Sequence, residues 1–183
     1  MNTFYFDDVD AFGTGVSTPE AGEFISIPNN TSIKVTRYNI SRNSYSGLTV
    51  PSSSRLIFVE ENTKLYLSQS PTISGELVSA ENSEIIVSDI SGRLEYSFWH
   101  EPTSWDNSGI PQQGDNINIP ENTIMIVDNT SNISIKAYNV LTIPSSSVFY
   151  ININYYTLYV KEFNLNGTLK LGEGSTVEIR SDA

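Results

Sequence analysis

The sequence predicts an all-β fold of two tandem β-solenoid or β-helix-like repeats of short strands, and three observations carry that expectation. Short runs alternate apolar with polar residues, are rich in Ile, Val, Thr and aromatics, and are bounded by Asn, Ser, Gly and Pro, the pattern of strands. One stretch occurs twice: PEAGEFISIPNNTSIKV at 19–35 and PQQGDNINIPENTIMIV at 111–127, an offset of 92. Two-residue hairpin signals are scarce for so many strands. A β-sandwich, the alternative all-β reading, would need more of them than Asn166-Gly167 supplies.

In chain order, residues 1–18 form an aromatic and acidic lead-in, FYFDDVDAFGTG followed by Ser-Thr-Pro. Strands are then expected at Phe24–Ile27, Ile33–Val35, Leu48–Val50, Leu56–Phe58, Leu65–Leu67, Glu76–Val78 and Glu84–Val87. A second lead-in, EYSFWHEPTSWDNSG, precedes strands at Ile117–Ile119, Ile124–Val127, Ile133–Ile135, Val140–Ile143, Val148–Ile151, Leu158–Val160, Thr168–Leu171 and Thr176–Ile179. The duplication pairs Pro19 with Pro111, Gly22 with Gly114, Pro28 with Pro120 and Gly75 with Gly167, and LTVPSSS at 48–54 answers LTIPSSS at 141–147. It predicts two units, 1–92 and 93–183, with these Gly and Pro residues in equivalent turns. A unit of about 90 residues buries only about two-thirds of its chain surface, so the two should pack on each other.

Local chemistry refines this. Asn166-Gly167 and Gly172-Glu173-Gly174 read as reversals that use positive φ. Pro28, Pro51, Pro120 and Pro144 each follow a strand run, where a missing N–H costs nothing. Ile151-Asn152-Ile153-Asn154 would let asparagine side chains ladder from coil to coil.

Composition limits the partners. The net charge of −11 is spread evenly: 5 basic against 11 acidic residues in 1–92, and 5 against 10 in 93–183. Without a basic patch, neither nucleic acid nor an anionic membrane is expected as a partner. With no cysteine there is no disulfide, thiolate nucleophile or Cys-type zinc site. The opening MNTFYFDDVD lacks the basic region and apolar run of a secretory signal, and no stretch approaches the roughly 20 apolar residues of a membrane span.

The second copy resembles the G8 domain, an extracellular β-rich module of large surface and hyaluronan-processing proteins. The resemblance rests on Trp105, Pro111, Gly114, Asp115, Ile117, Ile119, Val127 and Asp128, and then on Leu141, Ile143, Gly167, Leu169 and Gly172. It covers 103–174 and, in weaker form, 17–78, where Phe12 stands nearest to the place of the tryptophan. It implies a right-handed β-helix-like arrangement of layers. A similar pattern occurs in viral fibre and tail-spike β-helices.

No catalytic, metal or cofactor residue is expected. His100 is the sole histidine; with only Glu101 or Asp106 as partners it makes a poor metal site. Asp7, Asp8 and Asp10 form the densest carboxylate cluster, a Ca²⁺ candidate that lacks the EF-hand pattern. Glycoside hydrolysis needs two carboxylates across a cleft; Glu60/Glu61, Glu81/Glu84 and Asp115 are the candidates, and Asp115 with its counterpart Glu23 fits a turn better. The chain holds ten Tyr, eight Phe and two Trp. Trp99, Trp105, Tyr150, Tyr155, Tyr156 and Tyr159 read either as core or as a glycan-stacking platform. The expected function is a non-enzymatic structural module of a virion (phage tail, fibre or capsid-associated) or an extracellular fibre-type protein, contacting protein neighbours or further copies of itself. The alternative is a carbohydrate-binding module of a bacterial surface protein, or an accessory domain of a polysaccharide-processing enzyme.

Overall fold

Alternating side chains give each short strand one face to bury, and a coil of such strands buries it by stacking on the next coil. The computed structural model describes residues 1–87, 94–105, 109–129 and 137–180. In the first half the strands are β1 (Asn2–Tyr5), β2 (Phe24–Ser26), β3 (Thr31–Val35), β4 (Gly47–Val50), β5 (Arg55–Phe58), β6 (Lys64–Tyr66), β7 (Thr72–Ile73), β8 (Glu76–Val78) and β9 (Ser83–Ile86). The second half contributes β10 (Glu95–Phe98), β11 (Ile117–Asn118), β12 (Thr123–Val127), β13 (Ala137–Ile143), β14 (Val148–Ile151), β15 (Thr157–Leu165), β16 (Thr168–Leu171) and β17 (Thr176–Ile179). One 3₁₀ turn, Pro102–Trp105, is the only helical element among the described residues.

The chain is an all-β solenoid of about six turns. Phe24 lies beside Gly47, Ser32 beside Arg55 and Ile124 beside Val148, a step of 23 or 24 residues from coil to coil. Every strand pairing among the described residues is parallel except two. That rules out the sandwich alternative, which is built of antiparallel pairs.

The two exceptions join the halves. β8 runs antiparallel to β17, with Leu77 opposite Val177, and β9 runs antiparallel to β16, with Ile85 opposite Leu169. These contacts exchange under the repeat offset of 92, which carries Leu77 to Leu169 and Ile85 to Val177. The junction is therefore an isologous, pseudo-twofold interface of the kind that closes symmetric dimers, here formed within one chain. The halves meet last coil to last coil. Their strands merge into an eight-stranded sheet, β1-β3-β5-β8-β17-β15-β13-β11, and a six-stranded sheet, β10-β12-β14-β16-β9-β6. A third, three-stranded sheet, β2-β4-β7, belongs to the first half. The expected boundary between 92 and 93 lies outside the described residues, as does the strand expected at Ile133–Ile135.

Register turns the alternation into columns of buried side chains. Ile33, Leu56, Leu77, Val177 and Leu158 stack strand on strand across the junction, each with at most 1% of its surface exposed. Met125, Phe149, Leu169, Ile85 and Leu65 form a second column on the six-stranded sheet. Each such side chain contributes about 1.5–3 kcal/mol on burial, so a few rungs account for much of a domain's 5–15 kcal/mol.

The repeated residues hold equivalent positions. Gly22 and Gly114 have φ of 85° and 86°, and Asn30 and Asn122 have 54° and 56°. Ser54 Oγ accepts the Thr31 N–H at 3.1 Å and donates to the Pro28 carbonyl; Ser147 Oγ does the same with Thr123, at 3.2 Å, and Pro120. The serines of the repeated PSSS segment thus tie adjacent coils together at a buried corner.

Three local expectations need correction. Gly167 does not adopt positive φ. It is a glycine because a Cβ there would overlap the carbonyl oxygens of Pro144 and Ser147, just as one at Gly75 would overlap those of Pro51 and Ser54. The asparagine contact between coils is Asn139 Nδ2 to Asn116 Oδ1 at 2.8 Å, whereas Asn152 Oδ1 accepts from the Tyr150 hydroxyl. The continuous strand β15 corresponds to two pieces in the first half, β6 and β7. Pro71 stands in the interruption, where its missing N–H removes a ladder donor.

Candidate functional site

A solenoid must close its open ends, and here aromatics close both. At the first end Phe6 meets Phe12 edge to face at 5.2 Å and Tyr45 at 5.8 Å. At the other, Trp99 meets Trp105 at 4.9 Å and Tyr138 at 5.7 Å in the same edge-to-face manner. Phe6, Phe12 and Tyr45 correspond to Trp99, Trp105 and Tyr138 at a common offset of 93. The Trp105 indole Nε1 donates to the Trp99 carbonyl at 2.9 Å. Burial pushes the Tyr138 hydroxyl up to about 12, with Asp115 adding to the effect, and burial raises that of Tyr156 as well. Neither hydroxyl has a hydrogen-bond partner among the described residues.

The structure does not bring Trp99, Trp105, Tyr150, Tyr155, Tyr156 and Tyr159, the residues of the expected glycan platform, together on one surface. Trp99 and Trp105 are 1% and 2% exposed and Tyr156 is 9% exposed, so no sugar ring reaches their faces. Tyr150, on the six-stranded sheet, packs under Lys170 Nζ at 4.7 Å, while Tyr159, on the eight-stranded sheet, packs under the Arg180 guanidinium at 4.2 Å. Tyr155 is exposed, at positive φ, in the loop beside Gly174. The six side chains belong to a core, two separate sheets and a loop.

Several of the candidate carboxylates are placed as turn residues and ion-pair partners, while Glu81 lines a separate open cavity with Asp128. Asp115 accepts the Gln112 N–H at 2.8 Å and Glu23 accepts the Glu20 N–H at 3.0 Å, a matched pair of turn closures around Gly114 and Gly22. Asp8 accepts the Tyr5 N–H and Asp10 accepts that of Gly15, which occupies two members of the Asp7, Asp8, Asp10 cluster with backbone. Glu60 faces Arg37 at 3.5 Å and Glu84 faces Lys64 at 3.7 Å. His100 packs beside Phe98; its possible partner Asp106 lies outside the described residues. No cluster of three or more His, Asp or Glu side chains with metal-binding geometry exists among the described residues.

One concave site was missed by the sequence reading. A cavity of about 440 Å³ is lined by Arg37, Tyr38, Ile40, Ser41, Arg42, Asn62, Lys64 and Tyr66. Its wall is the loop between β3 and β4, which is pinned at several points. Asn39 Oδ1 accepts the Thr36 N–H at 2.8 Å, Ile40 is buried, and the buried Tyr45 hydroxyl accepts the Ser41 N–H at 2.8 Å. The floor is the next coil, Asn62 to Tyr66. No carboxylate lines the cavity, yet it gathers three of the five basic residues of the first half. The signal available beforehand was spacing: Arg42 and Lys64 are 22 residues apart (64 − 42), about one coil.

Comparison with known proteins bears on the other half. Residues 104–179 match the family model of the G8 domain. Over 74 residues the chain is 26% identical to Communication mutant protein F of Dictyostelium discoideum, and over 74 residues 28% identical to Protein rliB of the same organism. Each match covers 40% of this chain and 7% of the relative. No solved structure matches. The second half thus carries a segment similar to the G8 domain, and within it Trp105 closes the end of the coil while Gly114 and Asp115 form the first turn.

Proposed function

We propose that this chain is a non-enzymatic structural β-module of a virion or an extracellular fibre-type protein, and that its partners are protein neighbours. The observation that carries this reading is the pseudo-twofold junction, which fuses two short solenoids into sheets of eight and six strands. Continuous sheets running through the length of a molecule suit a load-bearing part. Of the carboxylates considered for hydrolysis, Asp115 and its counterpart Glu23 close turns, and Glu60 and Glu84 face Arg37 and Lys64.

Two measurements test it. Incubation of the full chain with a panel of polysaccharides should release no reducing ends; turnover abolished by a single Asp or Glu substitution overturns the non-enzymatic part. Immunogold labelling in the source organism should mark particles or the cell surface, and a purely cytosolic label overturns the structural assignment. A carbohydrate-binding module is the second reading, favoured by the open cavity of Arg37, Tyr38, Arg42 and Lys64.

A further inference from the structure

We infer that the cavity between the β3–β4 loop and the Asn62–Tyr66 coil binds an anionic sugar unit, with Arg37 and Arg42 on its carboxylate and Tyr38 against its ring. This rests on the carbohydrate-binding reading and narrows it to a ligand class and a place.

Charge supplies the first argument. In a chain of net charge −11, three cations surround one cavity that no carboxylate lines. Arg37 faces Glu60 at 3.5 Å, with Glu61 and the Tyr38 hydroxyl also acting on it, and Lys64 faces Glu84 at 3.7 Å; all three carboxylates lie outside the lining. Arg42 is exposed and makes no ion pair among the described residues. A guanidinium presents a planar fork of donors that matches a carboxylate at two points.

Shape and surface supply the second. The volume of about 440 Å³ falls in the range of small-molecule pockets, roughly 300–1,000 Å³, and exceeds what a bare inorganic anion fills. Tyr38 is 78% exposed, with the Arg37 guanidinium 5.1 Å from its ring centroid, and Tyr66 lies half-buried on the opposite coil. Aromatic faces offer apolar surface to a sugar ring, and Ser41 and Asn62 offer hydrogen bonds to its hydroxyls. The acidic remainder of the surface repels a long polyanion such as nucleic acid, so a single anionic unit fits better.

The loop is also built in advance. Its hydrogen bonds from the Thr36 N–H to Asn39 and from the Ser41 N–H to Tyr45 fix the backbone that carries Arg37, Tyr38 and Arg42, which lowers the loop-ordering cost of binding. Nothing comparable follows from the repeat, because Arg37 and Lys64 correspond to Asn129 and Tyr156 at the offset of 92.

The test is a titration of the full chain with methyl glucuronoside, methyl glucoside and inorganic phosphate, followed by calorimetry or amide chemical shifts. The glucuronoside should bind saturably and the neutral glucoside about tenfold more weakly, the loss expected when a charge-assisted pair is removed. Arg42→Ala and Tyr38→Ala should each weaken glucuronoside binding by about tenfold while the thermal melt stays unchanged, because both side chains are exposed. Equal binding of glucoside and glucuronoside overturns the anionic class but leaves the carbohydrate reading standing. Absence of binding by either sugar overturns both. Phosphate that competes fully with the glucuronoside, with no effect of Tyr38→Ala, reduces the site to a bare-anion site and overturns the sugar assignment.

Discussion

At one end of the molecule Phe6, Phe12 and Tyr45 fill the mouth of the coil; at the other, Trp99, Trp105 and Tyr138 stand 93 residues on and do the same with more volume. The hydroxyls are handled in opposite ways. Tyr45 accepts the Ser41 N–H, so its plug also holds the loop that walls the basic cavity. Among the described residues the Tyr138 hydroxyl has no partner, and a polar contact at its end is the Trp105 indole on the Trp99 carbonyl. The comparison separates two requirements. The position must hold a large apolar ring, or the core columns open to water. The polar atom on that ring is free to be used locally or left idle.

Removing a plug should have the largest effect. Trp105→Ala should cost about 3–5 kcal/mol, with Phe12→Ala at the lower end of that range, read as shifts of the denaturant midpoint. A Trp105→Ala midpoint no different from that of a surface substitution would place the tryptophan outside the core.

Next in size are the glycines shared by both halves. Gly75→Ala and Gly167→Ala should each cost about 1–3 kcal/mol, because the added carbon meets carbonyl oxygens that the coil cannot swing aside. Parallel losses in the two melts would show the halves equally rigid at this corner. A neutral result in one would show that its coil can relax.

The tyrosines sharpen the contrast directly. Tyr45→Phe leaves the Ser41 N–H without its acceptor and should cost about 1 kcal/mol. Tyr138→Phe removes only an unpartnered buried hydroxyl and should cost nothing or gain up to about 1 kcal/mol. Equal melting shifts for the two variants would contradict the difference between the ends.

The smallest effect is one of pH. The folded state holds the Tyr138 hydroxyl up at about 12, above the ordinary tyrosine value of 10. The stability linked to this raised value is fully present below pH 10 and lost as pH climbs from there through about 12. Tyr138→Phe should therefore flatten the alkaline loss of stability, and an unchanged alkaline profile would show that the ring is open to solvent.

Much of this architecture was legible in the sequence because it depends on residues with backbone duties. Gly22 and Gly114, Pro28 and Pro120, and the two PSSS segments advertise equivalent corners, and Phe12 already stood nearest to the place of Trp105. The lead-in strands β1 and β10 escaped notice because edge strands are half-exposed and lose the alternating pattern. An offset of 92 states that two units are alike and is silent on how they dock, so the last-coil-to-last-coil junction could not be read from it. Aromatic abundance around Tyr150–Tyr159 looked like one surface because neighbours in sequence were taken as neighbours in space; alternation sends them to different sheets and to the core. The basic cavity hid for the converse reason, since Arg37, Arg42 and Lys64 meet only once one coil lies on the next.

The pseudo-twofold junction also governs valency. A symmetric pair of identical chains displays every surface feature twice, so any ligand site it carries makes it bivalent and able to cross-link. Two units that share one chain escape that rule, because each can change without the other. Here the positions 92 residues beyond Arg37, Arg42 and Lys64 hold Asn129, Ser134 and Tyr156, so none of the three cations recurs at its matching position. A molecule with the skeleton of a dimer thus carries, among the described residues, this cluster of Arg37, Arg42 and Lys64 on one half alone.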